Sequence, residues 1–324
     1  MGSAPHDCGD ERRRKMTDLI FAAAGCVAVL LLHVAAGFIL RCTKRVGDGF
    51  GKEISSLLLN LCMPALVIRI LAQEFTIEAL KTGYPAILIG FVVIAITSIP
   101  AFLLKRAGKD KGFLNVLAFS LVFSNFGFMG QPMVEAVYGS DALLTWALFT
   151  ISYYALVNII GMYILAPQGQ KMNAKLIFNP NTVGVIIGII LALFRIPIPT
   201  VVMDLLNMCG NCVVPLSMIL IGFVLAGHPL RAMVSNLRIY GVAALRLLVL
   251  PLCVMGVLYL CGFRGFLLAV PVIIIAMPVA VNGVMLAEDM GGDSLQMAQA
   301  VFVSSVLSLL SVPLIAVILA MVQG

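Results

Sequence analysis

Ten apolar stretches follow one another along this chain, at approximately 17–40, 53–72, 84–104, 113–138, 142–165, 181–195, 199–226, 237–261, 265–288 and 294–322. Most reach the roughly 20 residues that carry a helix across a bilayer. The sixth is shorter and needs its flanks to cross. The connections between them are short and polar, and none is long enough to hold a soluble domain. The pattern predicts an all-α polytopic membrane protein with ten transmembrane helices. Residues 1–16 form a polar tail ahead of the first stretch. That stretch is too long for the apolar region of a signal peptide and lacks a small-residue cleavage site. Met16 is a second candidate start.

Two local patterns recur. Tyr138-Gly139-Ser140-Asp141-Ala142-Leu143 reappears as Met290-Gly291-Gly292-Asp293-Ser294-Leu295. In each, the glycine can end one helix in the left-handed conformation and the aspartate can cap the next. Asn60-Leu61-Cys62 ahead of Pro64 is echoed by Asn207-Met208-Cys209 ahead of Pro215. These matches align the second stretch with the seventh, and the 4–5 junction with the 9–10 junction. The chain reads as two five-helix repeats, 17–165 and 181–324, joined by a loop over 166–180. An odd number of spans per repeat inverts the second repeat, an architecture common among secondary transporters.

The fourth and ninth stretches are interrupted. One reads Ser124-Asn125-Phe126-Gly127-Phe128-Met129-Gly130-Gln131-Pro132, the other Met277-Pro278-Val279-Ala280-Val281-Asn282-Gly283. Proline removes a donor and clashes with the preceding turn, so Pro132 and Pro278 are expected to mark helix breaks. Backbone groups freed there must be buried in protein or line a wet cavity. Asn125 and Asn282 are costly in lipid unless they are satisfied. Paired breaks in corresponding halves point to a transporter's central site.

Composition removes the soluble classes. The chain is 61% hydrophobic and 11% charged, with mean hydropathy +1.09, against about 25% charged residues in soluble domains. The net charge of +6 does not imply nucleic acid, because the cations lie in loops without a basic stripe. Twelve of them follow the first, third, fifth and seventh stretches, among them Arg41, Lys105, Lys171 and Arg231. The alternate loops carry only Lys81, Arg195 and Arg264, leaving aside four in the tail. The positive-inside rule then makes the 166–180 loop cytoplasmic and places both termini outside, in a plasma-membrane protein. Cys26, Cys62, Cys209, Cys212 and Cys253 fall in apolar runs and read as inert thiols. Cys209 and Cys212 have metal spacing but no companion pair, so neither a metal nor a cofactor is expected.

The order and spacing of several segments carry a resemblance. They are Asn60 through Pro64, Ser124-Asn125 through Pro132 with Tyr138-Gly139, Asn179-Pro180-Asn181, and Met277-Pro278 through Asp293 ahead of a Ser-rich last span. From Met16 onward the sequence resembles the auxin efflux carrier family, which includes bacterial malate- and malonate-permease-like members and plant PIN-type exporters. That family is similar in fold to bile acid/sodium symporters. The resemblance implies broken helices 4 and 9 that cross near the midplane, a scaffold of helices 1, 2, 6 and 7, and a transport unit of helices 3–5 and 8–10. Asn125 matches the asparagine that PIN-type carriers place at the crossover, and Pro278 matches the proline of their ninth span. Ser124 departs from the proline found there in PIN-type carriers, and the long loop of many plant members is missing between the fifth and sixth stretches.

These readings converge on a secondary carrier for small organic anions such as dicarboxylates, working by alternating access. Its other partner is membrane lipid; pairing with a second copy is left open. The expected substrate site is Asn125, Gly127, Pro278 and Asn282. Arg246 lies some 14 Å into the eighth span at 1.5 Å per residue. It has two readings, attraction of an anion or a structural partner for the carbonyls of a broken helix. Arg69 is expected to snorkel. Asp204 is expected either to complement a helix start or to take part in coupling. Glu288, Asp289 and Asp293 read as a solvated edge, His33 as a packed contact, and Gly184 with Gly188 as a close helix approach. Sequence signatures of hydrolases and ATP motors are missing, so no enzyme is expected.

Overall fold

A computed structural model describes residues 28–323 except 30, 75, 76, 108, 109, 128, 167–179 and 228–233. The 166–180 loop and Cys26 therefore fall largely or wholly outside the described residues, as does most of the polar tail's sequel. The described residues form twelve helices. These are α1 Leu31–Cys42, α2 Phe50–Gln73, α3 Ile77–Ala107, α4 Lys111–Val122, α5 Gly130–Tyr138 and α6 Leu143–Leu165. They continue as α7 Pro180–Leu193, α8 Thr200–Ala226, α9 Leu237–Leu260, α10 Phe266–Ala276, α11 Asn282–Met290 and α12 Ser294–Gln323.

Five helices are long and apolar enough to cross a membrane: α2, α3 over Gly83–Leu103, α8, α9 and α12. α6, bent by 46° between Val157 and Ile159, makes a sixth if its two parts are counted as one span. The other apolar stretches are carried by shorter helices. Most telling are α4 and α10, of 12 and 11 residues. At 1.5 Å per residue each is about 16–18 Å long, near half of a hydrocarbon core roughly 30 Å thick. Each is followed by a break and then a nine-residue helix, α5 or α11.

Glycines set the closest helix approaches. A Cβ at Gly222 of α8 would overlap the Val34 carbonyl of α1, and one at Gly37 of α1 would overlap the Ile219 carbonyl of α8. The sequence pattern at Gly184 and Gly188 has its counterpart against α2: a Cβ there would stand 3.2 Å from Pro64 Cα and 2.8 Å from Leu71 Cβ. Such contacts let backbones pack where lipid offers no hydrophobic drive.

The repeated turn motif is also visible. Gly139 and Gly291 close α5 and α11 with φ of 77° and 68°. Asp293 then caps α12, its Oδ1 accepting from Gln296 N at 2.9 Å. Asp141 instead lies in a 3-10 turn, Ser140–Ala142, that precedes α6.

Candidate functional site

The chain after α4 turns extended at Phe123, and the chain after α10 does so at Met277. These two short segments meet. Asn125 N donates to Pro278 O at 2.7 Å and Ala280 N donates to Phe123 O at 3.2 Å, forming an isolated antiparallel bridge between Ser124 and Val279. The bridge settles part of an otherwise severe problem, since an unpaired buried backbone group costs about 1–3 kcal/mol.

Three side chains and one further backbone N–H satisfy more of these groups. Ser304 Oγ of α12 accepts from Val279 N at 3.1 Å. Trp146 Nε1 of α6 donates to Phe126 O at 3.1 Å, and Gly130 N reaches back to Asn125 O at 3.1 Å. Arg246, fully buried in a π-helical turn of α9, donates from Nη1 to Leu121 O at 3.0 Å and from Nε to Met277 O at 3.3 Å. Leu121 sits in the last turn of α4, and Met277 caps the end of α10. A cation there opposes the partial negative charge at two helix C-termini at once.

Beside the bridge lies a cavity of about 20 Å³, lined by Ser124, Asn125, Gly127, Tyr154 and Asn282 among others. Asn125 and Asn282 are 3% and 5% exposed. Among the described residues, Asn125 Nδ2, Asn282 Oδ1 and Ser124 Oγ have no hydrogen-bond partner. Asn282 is also the first residue of α11, where the helix start carries partial positive charge and no side chain caps it. Tyr154 approaches from α6 and packs edge-on to Phe126, with ring centroids 4.8 Å apart. The volume holds roughly one water, so a larger solute enters only when the surrounding helices part.

Three expected site residues, Asn125, Gly127 and Asn282, are thus brought together. Others are not. Pro278 is buried on the bridge and stays off the cavity wall, its carbonyl already taken by Asn125. Arg246 also stays off the wall and holds the broken ends, its structural reading. Pro132 makes no break, because α5 begins two residues earlier and proline is tolerated in a first turn. Asp204 is exposed at the fifth position of α8, beyond the first turn and away from the cavity.

Sequence reasoning missed Tyr154, together with Met63 and Leu66 of α2, which close the opposite wall. Arg69 has partners on α8: its Nη1 donates to Asn211 Oδ1 at 3.1 Å and to Asn207 Oδ1 at 3.4 Å. It sits one helical turn from Leu66 of the cavity wall. Both partners are neutral amides, so the charge is hydrogen-bonded but not neutralised.

Among the described residues no group of three or more His, Cys, Asp or Glu is placed to hold a metal ion. Cys62 is buried as expected, whereas Cys212 and Cys253 are exposed on the helix surfaces.

Comparison with known proteins gives matches over nearly the whole chain. The profile of the membrane transport protein family matches residues 23–175 and again 167–316. An uncharacterized transporter of Methanothermobacter thermautotrophicus is 27% identical over 301 residues, covering 90% of this chain and 97% of that protein. An uncharacterized transporter of Methanocaldococcus jannaschii is 21% identical, covering 89% and 96%.

Proposed function

The chain belongs to the membrane transport protein family, and on that footing we propose that it is a secondary carrier moving small organic anions by alternating access. The observation that carries this reading is the unpartnered amide donor Asn125 Nδ2, facing a cavity beside two crossed helix breaks. The Asn125 amide donor, with the partial positive charge at the start of α11, suits a carboxylate without a dedicated cation. Arg69, one turn from Leu66 of the cavity wall and held by neutral amides, attracts the anion toward the cavity. Dicarboxylates are the first class to test.

The architecture that goes with this reading is ten spans in two inverted five-helix repeats. Helices α1, α2, α7 and α8 act as scaffold, while α3–α6 and α9–α12 move. The packing of α2 against α7 and α8, and of α3 against α6, supports that division. The basic loops lie on the cytoplasmic side and both termini lie outside. A cysteine introduced within 167–179 is then labelled from the cytoplasm alone; labelling from outside the cell overturns this orientation.

The deciding experiment is uptake and counterflow of a panel of labelled mono- and dicarboxylates in liposomes holding the purified protein. Saturable uptake with counterflow supports a carrier. Flux that neither saturates nor shows counterflow supports a channel instead, and absence of flux for every anion removes the substrate class.

A further inference from the structure

At the end of α3, away from the crossover, a cavity of about 630 Å³ is lined by Phe102, Lys105, Arg106, Lys111 and Tyr163. Three of these five residues are cations and none is a carboxylate. The nearest acid in sequence, Asp110, is already engaged by Arg238 Nη1 at 2.7 Å and by Phe113 N. Lys105 Nζ donates to Tyr163 O and, at 2.9 Å, to Ile164 O, crossing to the end of α6. Lys111 Nζ donates to Lys105 O at 3.0 Å and to Arg106 O at 3.4 Å. An ammonium has three donors, so each lysine retains one. Carbonyls fix the position of these charges without cancelling them. Arg106 is exposed, and no partner is found for its guanidinium among the described residues.

The walls are equally specific. Phe102 and Tyr163 meet edge to face at 5.4 Å, and Lys105 Nζ lies 4.8 Å from the Tyr163 ring centre. Next in sequence to Phe102 of the cavity wall, Leu103 and, one turn earlier, Ile99 are each 62% exposed on α3 within its membrane-spanning part. A pocket of fixed cations at the polar end of such a span, opening onto an apolar stripe, fits a phosphate joined to acyl chains.

We propose that this cavity is a phosphate site, with Arg106 and the remaining donors of Lys105 and Lys111 as its ligands and the Leu103–Ile99 stripe receiving the tails of an anionic phospholipid. The site is separate from the transport cavity, so it does not depend on which solute is carried.

The test is calorimetric titration of the detergent-purified protein with dioctanoyl phosphatidic acid, dioctanoyl phosphatidylcholine and inorganic phosphate. Phosphatidic acid is expected to bind, and the zwitterionic lipid to bind more weakly. Arg106→Glu reverses an exposed charge that has no partner among the described residues, so the fold is retained, as an unchanged melting temperature without lipid will verify. It is expected to weaken phosphatidic acid binding roughly tenfold or more. Tighter binding of phosphatidic acid than of inorganic phosphate assigns the site to a lipid headgroup, and equal binding assigns it to free phosphate. Binding of neither, or affinity unchanged in Arg106→Glu, overturns the proposal.

Discussion

The backbone N–H of Asn125 donates to the carbonyl of Pro278 at 2.7 Å, so the two breaks share one hydrogen-bonded frame. Arg246 reinforces that frame by bonding the ends of both α4 and α10. The cavity wall that includes Asn125 and Asn282 is therefore built on segments that cannot separate without exposing buried backbone groups. In the proposed cycle they move together, and the access paths on either side open and close around them.

Asn125→Ala removes the unpartnered donor at the cavity. In the carrier reading it deletes a hydrogen bond to a charged group, worth roughly 1.5–3 kcal/mol, which is about a ten- to hundredfold loss of affinity. Competition uptake in liposomes measures this directly. An unchanged half-saturation concentration in a well-folded Asn125→Ala protein moves the substrate elsewhere.

Gly127 stands where a Cβ would come within 2.9 Å of the Tyr154 hydroxyl. Gly127→Ala should therefore impair transport more than stability. Adding Tyr154→Phe removes the clashing oxygen, so the double variant is expected to recover part of the lost rate. A double variant no better than Gly127→Ala alone would show that the two positions are not coupled.

The two intramembrane arginines should behave differently. Arg246→Met strands Leu121 O and Met277 O in the interior at about 1–3 kcal/mol each, lowering folded yield and melting temperature. Arg69→Gln keeps hydrogen bonding to Asn207 and Asn211 within reach but loses the charge. Its expected signature is weaker uptake of anions at near-normal yield. Equal loss of yield in both variants would show that Arg69, too, is structural.

Ser304→Ala removes the acceptor of the buried Val279 N–H. A destabilisation of about 1–3 kcal/mol is expected, read as a lower thermal midpoint in detergent. An unchanged midpoint would mean that the Val279 N–H has found another partner.

Gly222→Ala tests the α1–α8 crossing. Its new methyl group meets the Val34 backbone rather than a flexible side chain, so the helices must shift apart. Overpacking of this kind costs typically about 1–3 kcal/mol. Gly241→Ala meets nothing within 4 Å and serves as the control, with little effect on thermal stability.

The sequence by itself determined the solvent and the element type. A chain with 61% hydrophobic residues and apolar stretches of membrane-spanning length has few options other than helices that satisfy their own backbone groups. It also located the interrupted stretches, because amides and glycines at membrane depth need an explanation. It did not determine where each helix stops. Pro85, Pro100, Pro271 and Pro313 all lie inside continuous helices, whereas the break over 123–129 contains no proline. A helix ends in the membrane interior only where partners for the freed groups are waiting. Those partners, Pro278 O, Ser304, Trp146 and Arg246, come from segments 20 to 153 residues away. The same holds for the arginines: depth in the span singled out Arg246, but tertiary packing enclosed it in carbonyls and left Arg69 close to the cavity. A charge's role depends on which groups surround it, and only the folded chain brings those groups together.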